Sequence, residues 1–138
     1  MNIIELAAQL EIDEGKKKRI YLDTAMPPRW TGGIGRNLTD RDFSEDEMQL
    51  MLKNDIDMVC DQLDNRMPWW KHMTERRKQA LANFVFNVGI NTAMTFKNSM
   101  ALLQAGQYSK AADAMMDSKW ARQVGDRAKR VTAMIREG

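Results

Sequence analysis

Two carboxylates and a hydroxyl near the N-terminus form the densest group of chemically capable side chains in the sequence. Glu14 stands beside Gly15 at the end of a short apolar segment. Asp23 follows the run Ile20-Tyr21-Leu22, and Thr31 opens the stretch Thr31-Gly32-Gly33-Ile34-Gly35. Carboxylates on opposite sides of a groove can cleave a glycosidic bond. One keeps its proton and gives it to the leaving oxygen; the other stays ionised and activates water or stabilises positive charge at the sugar. An inverting pair stands roughly 6.5–9.5 Å apart, so that water fits between. Spacing alone carries little weight, because a Glu and an Asp nine positions apart are commonplace. Other chemistries are scarcer still. Cys60 is the single cysteine, which excludes an internal disulfide and a Cys-rich zinc site; His72 is the single histidine, which argues against a catalytic His pair or a His-based metal centre.

The elements that must position these groups can be read from punctuation and periodicity. Residues 3–10 form a short helix with Gly15 as its stop. Residues 16–39 change character: a short apolar run, then Pro27-Pro28, then Gly32-Gly33-Ile34-Gly35, the pattern of a two- or three-stranded meander with tight turns. Ser44 and Glu47 make a Ser-x-x-Glu capping box that opens a long helix. On it Met48, Leu52, Ile56, Val59, Cys60 and Leu63 recur at helical spacing and predict one buried stripe. Pro68 ends that region. Residues 80–88 are apolar on nearly every face, which predicts a central buried helix stopped by Gly89, and further helices are expected near 95–105, 108–118 and 126–137.

Composition supports one domain over residues 1–138: a β lobe about 16–39, a connecting helix about 44–65 and a helical lobe about 74–138. At 43% hydrophobic, 29% charged and net +2, the chain is globular rather than disordered, and 138 residues suffice for a core without staples. Twelve methionines predict a soft helical core. No apolar run approaches the roughly 18 residues of a membrane span, and the start, Met1-Asn2-Ile3-Ile4-Glu5, lacks a secretory pattern. Charge is uneven. Residues 14–36 and 119–138 each carry six basic and two acidic groups, against nine and twelve in 37–118. A positive wall around a cleft would suit an anionic partner, although a solvated surface is the default for such charge.

The strings themselves say more than their spacing. Ile12-Asp13-Glu14-Gly15, Ile20-Tyr21-x-Asp23-Thr24 and Thr31-Gly32-Gly33-Ile34-Gly35 resemble the N-terminal signature of phage-type lysozymes, the bacteriophage T4 lysozyme family. The likeness continues through Asn83-x-Val85-Phe86-Asn87-Val88-Gly89, Phe96-x-Asn98-Ser99, Ser118-x-Trp120 and Asp126-Arg127-Ala128-x-Arg130, in the family's order and over essentially the whole chain. The resemblance implies an α+β, mainly helical, two-lobed fold and a cofactor-free, metal-free muramidase. Its substrate would be the β-1,4 bond between N-acetylmuramic acid and N-acetylglucosamine in peptidoglycan. It assigns Glu14 as proton donor, Asp23 as second carboxylate, Thr31 as the residue holding the water, and Arg127 as an arginine that orients the glutamate. The donor must keep its proton, which an apolar setting favours and Arg127 opposes. Gly35, Asn37, Phe86, Asn87 and Ser99 fall at substrate-binding positions, Asn37 replacing an apolar residue. Family likeness favours inversion.

The chain also departs from the pattern. Seven residues, Pro27 and Pro28 among them, separate Asp23 from Thr31, two more than in the relatives it resembles, so the loop that places the water is altered. Arg36 stands where relatives carry a histidine that pairs with an aspartate on the long helix, which predicts an Arg36–Asp55 pair. Trp30, beside Thr31, is a further candidate for substrate contact. Trp69 and Trp70 could stack on a sugar but more commonly fill a helix junction. Trp120 is expected in the core, Cys60 as an inert core residue, His72 at the surface, and Lys16-Lys17-Lys18-Arg19 as a solvated edge.

The expected function is therefore an endolysin acting on peptidoglycan glycan strands as a monomer. It would accumulate in the host cytoplasm, leave through a holin-dependent route and act on the cell wall in the periplasm. The alternative is a lysozyme-fold module that binds peptidoglycan with weak or no turnover because of the altered loop. Stable membrane insertion is not expected. A nucleic-acid binder is disfavoured by the small net charge, the acidic middle segment and the lack of a reader motif.

Overall fold

A computed structural model describes residues 1–138, which divide into two compact units, Met1–Met48 and Gln49–Gly138. The fold is mainly helical α+β, with eight α-helices, a 3-10 turn and one three-stranded antiparallel sheet near the N-terminus.

The first unit opens with α1 (Ile3–Glu14). Asn2 caps it by accepting a hydrogen bond from the Glu5 N–H at 3.1 Å, and Gly15, at φ 72°, ends it by donating to the Glu11 carbonyl. Three antiparallel strands follow in sequential order: β1 (Lys17–Leu22), β2 (Trp30–Gly33) and β3 (Arg36–Asn37). Tyr21 stands opposite Thr31 and Leu22 opposite Trp30; Thr31 in turn faces Asn37 on its other side. Thr31 and Gly32 are the buried centre of this small sheet. The basic run at 16–19 lies at the surface, with Lys16 paired to Glu11 at 3.3 Å. Ser44 then opens α2 (Glu45–Arg66) by accepting from the Glu47 N–H at 3.2 Å, and Glu45, Asp46 and Glu47 place negative charge on the positive end of the helix.

The second unit is helical. After α2 come a 3-10 turn at Pro68–His72, α3 (Glu75–Val88), α4 (Ile90–Thr95), α5 (Lys97–Gln104), α6 (Tyr108–Met116), α7 (Lys119–Val124) and α8 (Asp126–Glu137). Its core is built on Leu63, Leu81, Phe84, Val85, Leu103, Met115, Val131 and Ile135, all fully buried. The Phe84 ring is held edge-on by Phe96 at 5.1 Å and by Trp120 at 4.8 Å. Edge-to-face contacts of this kind add to the burial itself. Arg77 fastens the last helix: Nε donates to the Ile135 carbonyl at 2.7 Å, and the guanidinium lies 3.7 Å from the centre of the Tyr108 ring.

Several expectations need correction. The stripe on α2 is buried only at its far end. Val59 and Leu63 are covered and Cys60 partly so, whereas Met48, Leu52 and Ile56 are 44%, 43% and 46% exposed. Periodicity reports an amphipathic face, not whether something covers it, and Leu52 and Ile56 line an open concavity. α3 is likewise one-sided: Ala80, Leu81, Phe84 and Val85 are buried, while Asn83, Phe86 and Asn87 face outward. The helix expected near 95–105 is two helices, broken at Phe96, and a further short helix, α7, follows residue 118, where Ser118 caps it by accepting from the Ala121 N–H at 3.2 Å. Only Met67, Met73, Met100 and Met115 among the methionines are fully in the core. Trp70 and Trp120 are buried, with their indole N–H groups donating to Asp64 and Asn87, both at 2.8 Å, and His72 is at the surface.

Candidate active site

In the first unit, Glu14 is the last residue of α1 and its side chain rests on the backbone of Gly35. A Cβ built on Gly35 would lie 2.7 Å from both Cδ and Oε2 of Glu14. Gly35 also has φ +64°, a conformation glycine adopts without steric cost. The turn between β2 and β3 thus makes a seat for the Glu14 carboxyl that only a residue without a Cβ can make.

Asp23 follows β1 and is held through both carboxylate oxygens. Oδ1 accepts from the N–H of Arg29 at 2.8 Å and of Ala25 at 3.1 Å; Oδ2 accepts from Arg29 Nε at 3.1 Å. The Arg29 N–H, above all, holds this carboxyl below its ordinary pKa. Partial desolvation opposes that, while the Ala25 N–H and the Arg29 guanidinium add to it. Thr31 is buried on β2, and its Oγ1 donates to the Arg29 carbonyl at 3.2 Å. With its proton committed there, the hydroxyl presents its lone pairs as acceptors. Trp30 next to it is half exposed.

Asn37 is tied into a local turn. Its Oδ1 accepts from the N–H groups of Thr39 and Asp40, and its Nδ2 donates to Asp40 Oδ2 at 2.8 Å. The expected Arg36–Asp55 pair does not form. Arg36 instead makes an ion pair with Glu47 in the first turn of α2 and donates to the Asp42 carbonyl at 2.9 Å. Glu47 lies in the first turn of α2, just after the short segment that follows β3, which keeps this pair local in sequence.

In the second unit, Arg127 at the start of α8 is held by Asn83 of α3: Nε donates to Oδ1 at 3.0 Å and a terminal nitrogen donates to the Asn83 carbonyl at 3.3 Å. Both line a concavity of 390 Å³ with Leu52, Ile56 and Phe86. Asn87 is occupied by the indole N–H of Trp120. Ser99, 4% exposed on α5, borders a different hollow of 400 Å³ with Lys97 and Asp117. The structure therefore brings Glu14 to Gly35, Asp23 and Thr31 to Arg29, and Phe86 to Arg127, while Ser99 lies elsewhere in its unit.

Two residues that sequence reasoning does not single out hold the candidate groups: Arg29, which in sequence is one charge in a basic segment, and Asn83, which is one position of a motif. The signal for Arg29 was its place at the end of the loop that Asp23 begins. The backbone closes that loop, the Asp23 N–H donating to the Arg29 carbonyl at 2.9 Å.

Comparison with known proteins gives the class. The model of the phage lysozyme family matches residues 11–136, and the chain belongs to that family of glycoside hydrolases. Its activity is accordingly that of a muramidase on peptidoglycan. Among similar proteins, Probable T4-type lysozyme 1 of Dictyostelium discoideum is 28% identical over 132 residues, 96% of this chain and 72% of that protein. Probable T4-type lysozyme 2 of the same organism is 24% identical over 99% of this chain and 96% of its own length. The SAR-endolysin of Escherichia phage Mu is 33% identical over 91 residues, which are 64% of this chain and 49% of that protein. No helix is long and apolar enough to cross a membrane.

Proposed function

We propose that the chain is an endolysin that hydrolyses the β-1,4 bond between N-acetylmuramic acid and N-acetylglucosamine, with residues 1–138 as its catalytic domain. Glu14 gives its proton to the leaving oxygen from its seat on Gly35. Asp23 is the fixed anion, and Thr31 accepts a hydrogen bond from the attacking water. The observation that carries this reading is the division of labour within the sheet region. One carboxylate accepts three hydrogen bonds that favour its ionised form, while the other stands on a glycine without such partners. Two carboxyl groups in such unlike environments suit the two roles that glycoside hydrolysis demands. Arg127, Phe86, Asn87, Ser99, Trp30 and Asn37 are proposed to support the donor or meet the glycan.

Inversion fits this chemistry, because a carboxylate with both oxygens already engaged is better suited to guiding water than to attacking carbon. The test is hydrolysis of purified peptidoglycan by wild type and by Glu14→Gln. Loss of turbidity with new reducing ends in the first and neither in the second is expected, and proton NMR of the fresh products reads the anomer. Sacculus binding without reducing ends would leave a peptidoglycan-binding module instead.

A further inference from the structure

The loop at 24–29, longer than the pattern the sequence resembles, ends in a residue that touches both members of the proposed water-handling pair. Arg29 makes four contacts there. Its N–H reaches Asp23 Oδ1 at 2.8 Å, its Nε reaches Asp23 Oδ2 at 3.1 Å, and its carbonyl accepts from the Asp23 N–H at 2.9 Å and from Thr31 Oγ1 at 3.2 Å. We propose that Arg29 is a positioning residue for hydrolysis: its guanidinium fixes the Asp23 carboxylate, and its carbonyl aims the Thr31 hydroxyl. The inference rests on the reading of Asp23 as the catalytic anion.

Geometry makes the role specific. An ionised carboxylate offers about four acceptor positions. Three are filled by Ala25 and Arg29, so the direction left open to water is set by where Arg29 stands. The Thr31 hydroxyl has one proton, and giving it to the Arg29 carbonyl leaves only acceptance toward a water. A shift of Arg29 would therefore disturb both groups at once. Arg29 is also the one charged side chain that acts on Asp23. Its side chain is 45% exposed, so the pair is a weak contributor to stability, and a stability role alone would not account for so complete a fastening.

Arg29→Gln separates the contributions, because the backbone contacts survive and only the Nε bond and the charge are lost. Its kcat on purified peptidoglycan is expected to fall by on the order of 10-fold, the scale of a small misplacement of reacting groups, with KM nearly unchanged. The acid limb of its kcat/KM profile should move to higher pH, because Asp23 then needs a higher pH to stay ionised. Arg29→Lys, which keeps the charge but not the planar donor, should restore the acid limb and only part of kcat. Carbon NMR titration of the Asp23 carboxyl in the free protein should show the same upward movement in Arg29→Gln, independent of turnover. Circular dichroism checks that each variant folds, and Arg29→Lys carries the comparison if Arg29→Gln does not. An inactive Asp23→Asn together with an Arg29→Gln whose kcat, acid limb and Asp23 titration match wild type would overturn the proposal. A fully active Asp23→Asn would instead overturn the reading of Asp23 on which it rests.

Discussion

Replacing Gly35 with alanine puts a methyl group where the Glu14 carboxyl now rests. The added carbon would lie 2.7 Å from Cδ and Oε2 and 2.8 Å from Cγ, whereas ordinary contact begins near 3.4 Å, so the carboxyl must retreat by about 0.7 Å or more. Two costs follow, and they fall on different observables. The backbone at φ +64° strains any L-residue, by roughly 1–2 kcal/mol. In a chain of this size that lowers the melting temperature by a few degrees. The collision adds little to the stability cost, because Glu14 is an exposed, flexible side chain free to swing away. Catalysis has no such escape, since misplacing a reacting group by about 1 Å can cost up to about 100-fold in rate. Gly35→Ala is therefore expected to lose kcat by on the order of 10- to 100-fold, with KM little changed and melting only slightly lowered. Gly35→Asn is the companion variant. Asparagine tolerates the left-handed region better, so it should recover part of the stability while its Cβ keeps the rate low. Reducing-end release gives kcat and calorimetry gives the melting temperature. A folded Gly35→Ala with kcat within about twofold of wild type would refute the seat as the working position of the donor.

Three further outcomes test other parts of the molecule. Phe84→Ala removes a fully buried ring that packs against Phe96 and Trp120, and should cost about 3–5 kcal/mol in urea denaturation. Arg36→Ala probes the ion pair with Glu47. The Arg36 hydrogen bond, before lesser help from Ser44 and Arg41 and against some desolvation, holds that carboxyl below its ordinary value of 4.5. A depressed carboxylate stabilises the fold above its ordinary pKa and loses that contribution as pH falls through the folded value. Wild type should therefore outlast the variant at neutral pH, by a margin that shrinks below about pH 4.5, and a margin constant with pH would contradict the pairing. Burial, with Asp64, Asp57 and Asp61 adding to it, raises the Cys60 pKa, so thiol reagents at neutral pH should label the folded protein far more slowly than the unfolded one; equal rates would refute its shielding.

How far the sequence reaches depends on whether a signal is local. Glycine and cap positions are local: Gly15, Gly89 and Ser44 end or begin helices where their types require it, and residues 126–137 form one helix at the bounds that periodicity predicts. Burial is not local. Leu52 and Ile56 repeat at the same spacing as Val59 and Leu63 yet remain open, because the period of a helix says which face is apolar and nothing about what lies against it. The same limit decided the Arg36 partner. Helix spacing offers several carboxylates along α2, and the contacts of Arg36 with Glu47 and the Asp42 carbonyl are set by the path of the chain between β3 and α2.

The altered loop shows where a pattern read by resemblance and a structure read by contacts part company. In sequence, two extra residues before Thr31 look like damage to the part that places the water, and they supply the main argument for a module without turnover. In the folded chain the lengthened loop is closed by the backbone between Asp23 and Arg29, and its last residue grips the carboxylate and the hydroxyl together. A loop that had merely grown would leave Asp23 fewer partners. This one gives it three hydrogen bonds, one of them from the Arg29 guanidinium, so the loop bears on how Asp23 is held.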